Sequence, residues 1–280
     1  MIVGIDHIGI YVRDLETSVR DITLLLGHSP SWRGAIGEYR HAWFQSSNVA
    51  LDVIAPEGSG PEAQKTRAYL DKHGEGIWGV GFTVRDLDEA RRILTRRGLE
   101  ILDPGITRSV NERGEMREWR IAMARRTSTG GITAFFVEQG SSMAGAPSPS
   151  GDAVVGLDHV VINTSNPDRA AAVYGARLGL DLRLDRSNAQ WGSRLQFFRC
   201  GDAIVEVGSK IDAAGDGKPD HFGGLAWRVQ NALSVRSRLA AAGVDVSELR
   251  QGRKPGTRVF TVRSCTAGVP TLMLEAAAPT

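Results

Sequence analysis

The sequence lacks the features that would tie it to a membrane or to a disulfide framework. Only two of its 280 residues are cysteine, Cys200 and Cys265, which is too few for a disulfide scaffold. Both are expected to be small buried side chains. No apolar stretch approaches the roughly 20 residues of a membrane span, and the N-terminus lacks the basic and apolar regions of a signal peptide. A cytoplasmic location without membrane contact is therefore expected.

The sequence also lacks an excess of charge of either sign. The 34 basic and 32 acidic residues leave a formal net charge of +2, and they are interspersed rather than clustered. Nucleic acid is therefore not an expected partner. There is no phosphate-binding loop with GK[ST], no GxGxxG between strand and helix, no nucleophile elbow and no CxxC motif. No nucleotide cofactor is expected, and a small molecule remains the expected partner.

A change in composition divides the chain into near-equal halves. Residues 140–152 read GSSMAGAPSPSGD, where small residues and proline replace every periodic apolar pattern, as is typical of a linker. The sequence predicts an N-terminal domain over 1–139 and a C-terminal domain over 153–280, each of a size that supports its own core.

Each half contains the same pattern twice. GIDHIGIYV near the start and GLDHVVIN after the linker are typical of buried strands. Each is followed by a turn, an amphipathic helix that stops at glycine, and stretches suited to three strands. The four repeats span residues 4–54, 76–138, 156–207 and 223–275. The pattern therefore predicts four βαβββ modules in an α+β protein.

One helix covers only one face of a module's sheet, so the other face needs a second module. Two modules side by side form a half-barrel whose concave face encloses a cleft. Four modules thus predict two half-barrel domains with one cleft each. Four modules permit either a self-sufficient monomer or a homodimer.

The segments DHIGIYVRDLE and DHVVINTSNPDRAAAVYGARLGL resemble the opening strands of the vicinal-oxygen-chelate superfamily, which includes glyoxalases, bleomycin-resistance proteins and extradiol dioxygenases. The tract GGLAWRVQNALSVRSRLAAAG is similar to glyoxalase-like proteins. The resemblance covers the chain outside the linker. It implies a divalent metal between paired modules, bound by a residue on the first strand and one on the last strand of each module.

Aligning the four modules assigns the ligand positions that the resemblance implies. The first-strand residues are His7, Gly79, His159 and Gly224, and the last-strand residues are Asp52, Glu138, Glu206 and Glu275. The expected sites are therefore His159, Glu206 and Glu275 in the second cleft and, as a weaker set, His7, Asp52 and Glu138 in the first. Such oxygen-rich sets suit Mn, Fe, Zn, Ni or Mg. Both glycine positions lack a ligand.

Each candidate also has a purely structural interpretation. His159 after Asp158 could bond to the backbone, and Glu138 and Glu275 could be solvated strand ends. His41, beside Trp43, is expected to be a packing or surface residue. The absence of a second histidine from the ligand positions argues against a ring-cleaving dioxygenase, which uses two histidines and one carboxylate.

The segment RQGRKPGTR over residues 250–258 concentrates four cations around two glycines and a proline. It is either an ordinary solvated hairpin loop or a mobile loop that binds a carboxylate or phosphate of the substrate, with Arg258 best placed. Trp227 and Arg228 are neighbours on a strand, so they point to opposite faces. Whichever faces inward would line the cleft or contact an anion.

Three functional hypotheses follow. The first is a metal-dependent lyase or isomerase acting on a substrate with two adjacent oxygens, with Glu275 as proton-transfer base by resemblance to glyoxalase I. The second is a metal-free protein that binds a hydrophobic or cationic small molecule, like the bleomycin-resistance members. The third is an extradiol-type dioxygenase.

Overall fold

The computed structural model describes residues 1–140 and 151–277, so most of the predicted linker, residues 140–152, lies outside the described residues. The first half contains strands β1 (Ile2–Tyr11), β2 (Trp32–Ile36), β3 (Tyr39–Gln45), β4 (Ala50–Pro56), β5 (Gly76–Val84), β6 (Gly105–Val110), β7 (Met116–Met123) and β8 (Ala134–Glu138). Its helices are α1 (Leu15–Leu26), α2 (Pro61–His73) and α3 (Leu87–Arg96).

Residues 151–277, the described part of the second half, repeat this order without a counterpart of α2. Its strands are β9 (Val154–Asn163), β10 (Asp181–Asn188), β11 (Ser193–Cys200), β12 (Ala203–Lys210), β13 (His221–Val229), β14 (Arg250–Gln251), β15 (Arg258–Val262) and β16 (Thr271–Glu275). Helix α4 (Pro167–Ala171) continues as a π-helical turn over Ala172–Arg177, and α5 (Ala232–Ala241) follows β13. A short 3-10 turn, Ala189–Trp191, follows β10.

The module helices begin where the sequence places a capping side chain. Asp14, Asp86 and Asn231 each accept a hydrogen bond from the backbone N–H three residues later, which satisfies one of the free donors of the first turn. Helix α1 ends at Gly27, whose φ of 80° lies in the left-handed region that favours glycine. Each helix then covers the outer face of its module's strands.

The α+β prediction of paired βαβββ modules is confirmed. In the first domain the strands close a barrel in the order β1-β4-β3-β2-β6-β7-β8-β5. In the second they form a sheet in the order β10-β11-β12-β9-β13-β16-β15-β14. The two orders correspond module for module, since β1 pairs with β4 and β5 as β9 pairs with β12 and β13.

The difference between the domains lies at one seam. In the first domain β2 and β6 are joined by a single pair, Ala35 opposite Val110. In the second domain β10 and β14 are the two ends of an open sheet. The first domain is therefore closed all round, and the inner face of the second domain is open along one side.

A continuous hydrophobic core runs through both domains, from α1 and β1 to α5 and β16. Polar contacts also join them: the amide of Asn48 donates to the carbonyl of Leu157 and accepts from its N–H, both at 2.9 Å. Cys200 is buried as expected, whereas Cys265 is partly exposed because it lies in a surface turn. Over the described ranges 1–140 and 151–277, none of the helices is long and apolar enough to cross a membrane.

Candidate functional site

The Asp-His pair at the start of each domain forms a β-bulge. In β1, Asp6 and His7 lie between the pairs Ile5–Phe82 and Ile8–Val80, so β1 carries one extra residue there. A bulge rotates side chains from strict alternation, which allows the Asp6 carboxylate to bond His7 Nδ1 at 2.8 Å. The same device recurs in β9, where Asp158 bonds His159 Nδ1 at 2.8 Å. In both domains the aspartate fixes the orientation of the neighbouring imidazole.

The pairing register shows which last-strand residues share the inner face with these histidines. Gly9 and Val161 each lie two residues after the histidine of their domain's first strand. The residue paired with each on the neighbouring strand is acidic: Asp52 lies opposite Gly9, and Glu206 lies opposite Val161. In the second modules the equivalent residues are Phe135, opposite Gly81, and Leu272, opposite Ala226. At the expected ligand positions, each inner face therefore carries one imidazole and one carboxylate.

Glu138 and Glu275 are not brought together with the histidines, contrary to the expected ligand sets. They lie three residues beyond the Phe135 and Leu272 positions, and an odd offset along a strand reverses the face. Glu138 accepts from the backbone N–H of Leu87 at 3.0 Å and from Arg120 at 2.9 Å.

Glu275 makes the equivalent contacts in the second domain. Its carboxylate accepts from the N–H of Ala232 at 2.7 Å and from Arg258 at 2.6 and 2.7 Å. Burial raises the pKa of Glu275, but the Ala232 and Arg258 contacts outweigh it and lower the pKa below its ordinary value. A carboxylate held ionised in this way is a poor proton-transfer base.

The residues expected to bind substrate also have other partners. Arg258 is paired with Glu275 on the outer face, so its guanidinium is not directed at a ligand on the inner face. Trp227 is 1% exposed and belongs to the core beneath the helices. Arg228 occupies the opposite face, where its Nε atom is buried without a hydrogen-bond partner. Of the three, Arg228 alone faces inward.

The side chains do not fit a resident metal. Such a site takes three or four protein ligands. The second inner face offers His159 and Glu206, and the first offers His7 and Asp52, since both ring nitrogens of the further histidine there, His41, are already bonded to Asp52 and Ser109. Among the described residues, no three His, Cys, Asp or Glu side chains lie close enough together to hold an ion. In the second domain His159 Nε2 lies 3.4 Å from Glu206 Oε2, so these two groups face each other directly.

The first barrel contains a buried hydrogen-bond chain that the sequence did not reveal. His41, predicted to be a packing or surface residue, is fully buried and bonds Asp52 through Nδ1 and Ser109 Oγ through Nε2, both at 2.6 Å. Trp32 Nε1 donates to the same Ser109 oxygen at 2.8 Å. Since Trp32 is on β2 and Ser109 on β6, the chain crosses the seam that a single backbone pair closes.

The same barrel encloses a cavity of about 180 Å³. Aromatic side chains make up most of its wall, and three of the chain's six tryptophans are among them. The wall consists of His7, Tyr11, Ile36, Tyr39, Trp43, Asp52, Ile54, Trp78, Thr107, Trp119, Ile121, Phe135 and Val137. Helix α2 covers one end, where Thr66 bonds the Tyr39 hydroxyl at 3.0 Å and the Tyr69 ring meets Tyr11 edge-on.

His7 is the titratable base of this cavity. Burial lowers its pKa, but the hydrogen bond to Asp6 and the charges of Asp6 and Asp52 outweigh burial, so the pKa lies above its ordinary value. The ring packs against Trp43, with the centroids 5.2 Å apart. The cavity can therefore hold a proton on His7 beside an apolar ligand.

A second, larger cavity of about 620 Å³ lies between the domains. It shares Tyr11 and Trp78 with the barrel cavity, and these two rings stack with their centroids 4.5 Å apart and their planes at 2°. Arg126, Lys218 and His221 lie on its wall. The stacked pair therefore separates the barrel interior from the space between the domains.

Two family models match the chain. A model described as a glyoxalase-like domain matches residues 5–179, more than half of the chain. A model of the glyoxalase, bleomycin resistance protein and dioxygenase superfamily matches residues 156–266. No protein of curated function is similar enough in sequence to match.

Solved structures share the fold. A triple mutant of 4-hydroxymandelate synthase from Streptomyces coelicolor is 14% identical, with a TM-score of 0.68 over 100% of this chain and 95% of its own. The Mn(II)-bound glyoxalase from Novosphingobium aromaticivorans is 13% identical, with a TM-score of 0.68 over 98% of this chain and 82% of its own. Methylmalonyl-CoA epimerase from Mycobacterium tuberculosis is 26% identical over 45% of this chain and 90% of its own, with a TM-score of 0.38.

Proposed function

The chain belongs to the glyoxalase-like domain family of the vicinal-oxygen-chelate superfamily, and we propose that the interior of its first barrel binds a single-ring organic molecule without a resident metal. The observation that supports this proposal is the aromatic cavity around His7 and Asp52. Mostly apolar walls with a few fixed polar groups are what small-molecule sites present.

The size of the cavity limits the ligand. An engineered cavity of about 150 Å³ accommodates benzene, so a cavity of about 180 Å³ suits one ring with a small substituent. The polar groups, His7 and Asp52, are held in place by Asp6 and His41 respectively. A site whose polar groups are already oriented binds with less loss of conformational freedom.

The metal-dependent lyase or isomerase hypothesis and the dioxygenase hypothesis receive less support from the donor set. Glu138 and Glu275 are engaged on the outer face, and both nitrogens of the second histidine in the barrel, His41, are bonded to Asp52 and Ser109. The binding hypothesis requires none of these groups as a ligand.

The test is a titration of the protein, freed of metal by EDTA, with single-ring compounds, followed by tryptophan fluorescence and calorimetry. We expect saturable binding at one site, quenching of the cavity tryptophans and no dependence on added Mn²⁺ or Zn²⁺. Binding that appears only after a metal is added would overturn the metal-independent proposal.

Two matched variants locate the site. Val137→Phe fills the barrel cavity, and Leu274→Phe introduces the same ring at the equivalent position of the second domain, since Val137 lies opposite Thr83 and Leu274 opposite Arg228. We expect only Val137→Phe to abolish binding. Loss of binding in Leu274→Phe alone would move the site to the second domain.

A further inference from the structure

The hydrogen-bond chain in the first barrel determines the proton positions around Asp52. The indole Nε1 of Trp32 can only donate, so Ser109 Oγ accepts from it. The hydroxyl hydrogen of Ser109 then points to the remaining partner, Nε2 of His41, at 2.6 Å. If Nε2 carried a proton instead, the buried Ser109 hydroxyl hydrogen would have no acceptor.

This assignment makes His41 neutral, with its proton on Nδ1. Nδ1 donates to Asp52 Oδ1 at 2.6 Å, a short contact typical of a hydrogen bond to an ionised carboxylate. His41 and Ser109 are fully buried, and Asp52 is 6% exposed. The negative charge of Asp52 is thus held in the barrel wall by His41, which is neutral and does not compensate it.

The rest of the cavity wall offers Asp52 little compensation. Of the described residues that line the cavity, none is lysine or arginine. The cation-forming side chain there is His7, which already pairs with Asp6 at 2.8 Å. Counting Asp6, His7 and Asp52 together, the site carries a net negative charge even when His7 is protonated.

The remaining wall has the composition of an ammonium-binding site. Tyr11, Tyr39, Trp43, Trp78 and Phe135 surround the space beside Asp52, and aromatic rings attract cations through their negative faces. Burial raises the pKa of Tyr11 and keeps its phenol neutral. A carboxylate whose hydrogen-bond partner is neutral is costly in an apolar cavity, and a cation of complementary shape reduces that cost.

We infer that the ligand of the first barrel is a small organic cation, a quaternary or tertiary ammonium on a single ring, held by the aromatic wall around the Asp52 carboxylate. The inference rests on the proposed function, because it names the class of molecule that the same cavity takes. His41 acts as a positioning residue that orients the Asp52 carboxylate.

The deciding experiment compares two molecules of the same shape on the wild-type protein. Phenyltrimethylammonium and tert-butylbenzene differ in having N⁺ or C at one position, so shape and ring contacts are shared. Calorimetric or fluorescence titration should give a dissociation constant at least about tenfold lower for the cation. Equal binding of the two, or tighter binding of tert-butylbenzene or benzoate, would overturn the inference and leave the proposed function standing.

If none of these compounds binds, the proposed function itself fails, and the two failures are thereby distinguished. Asp52→Asn tests whether Asp52 is the source of the preference for the cation. In this variant the cation should bind less than about threefold more tightly than tert-butylbenzene, while tert-butylbenzene still binds. The matched control is Glu57→Gln, an exposed residue directly after the same strand, which should leave the preference unchanged. Retention of the full preference in Asp52→Asn would place the charge recognition elsewhere.

Discussion

The two domains have the same module order, yet one is closed and the other open. In the first, β6 has six residues and reaches β2 across the seam. In the second, β14 has two residues and ends the sheet. Closure also coincides with the aromatic cavity and with α2, which has no counterpart among the described residues 151–277. One added seam and one added helix thus turn a shared open face into an enclosed site.

The seam of the first domain depends on side chains more than on backbone. One residue pair joins the strands, whereas Trp32, Ser109, His41 and Asp52 link β2, β6, β3 and β4 in one chain. Gly34 permits this approach, because a Cβ atom there would lie 2.4 Å from Ser109 Oγ. A buried network of this kind is stabilising only while every member keeps its partner.

The largest expected effect comes from breaking this chain. His41→Leu leaves the buried Asp52 carboxylate without its hydrogen-bond donor and the Ser109 hydroxyl hydrogen without its acceptor, which should lower the free energy of unfolding by about 3–5 kcal/mol. The measurement is urea unfolding followed by tryptophan fluorescence, which reports mainly on the first domain because Trp32, Trp43, Trp78 and Trp119 lie there.

The matched variant is His159→Leu in the open domain. Its partners Asp158 and Glu206 keep side-chain exposures of 32% and 14%, so water compensates them in part, and the expected loss is about 1 kcal/mol. Equal losses of unfolding free energy in the two variants would contradict the expectation that His41, enclosed in the barrel, stabilises the protein more than His159 does.

A smaller effect is expected where the domains are alike. Glu138→Gln and Glu275→Gln each remove a charge that accepts the first-turn N–H of a helix and pairs with an arginine. Each should cost about 1 kcal/mol in urea unfolding, with no change in metal content by mass spectrometry. A metal lost with Glu275→Gln alone would restore the ligand role that the sequence suggested.

The Glu275 effect should also depend on pH. Its folded-state pKa is lowered, so the stabilisation is present above the ordinary carboxyl pKa of 4.5 and is lost as the pH falls through the folded value. The difference between wild type and Glu275→Gln should therefore vanish in acid. A difference that persists unchanged at pH 2 would show that packing rather than charge is responsible.

The sequence predicted the fold better than it predicted the site. Module order follows from strand and helix periodicity, which is local. The faces of Glu138 and Glu275 depend on register, and an offset of three residues reverses the face of a strand. The role of His41 depends on Ser109, 68 residues away. One local signal was available: Tyr39, His41 and Trp43 alternate along β3, so an inward Trp43 implies an inward His41.

The smallest expected effect tests whether the open seam of the second domain is held at all. An arginine lies over a tryptophan at both seams: Arg117 is 4.1 Å from the ring centroid of Trp32, and Arg253 is 4.5 Å from that of Trp191. Trp32 is 7% exposed and Trp191 45%, and a cation–π contact is stronger where water is excluded. Arg117→Ala should therefore cost about 1 kcal/mol of unfolding free energy, and Arg253→Ala about 0.5 kcal/mol or less. Hydrogen exchange of the β10 amides gives the complementary measurement. If Arg253 holds the seam, these amides should exchange faster in Arg253→Ala, while the β2 amides are unaffected. Unchanged exchange in β10 would mean that the second domain is open regardless of this contact.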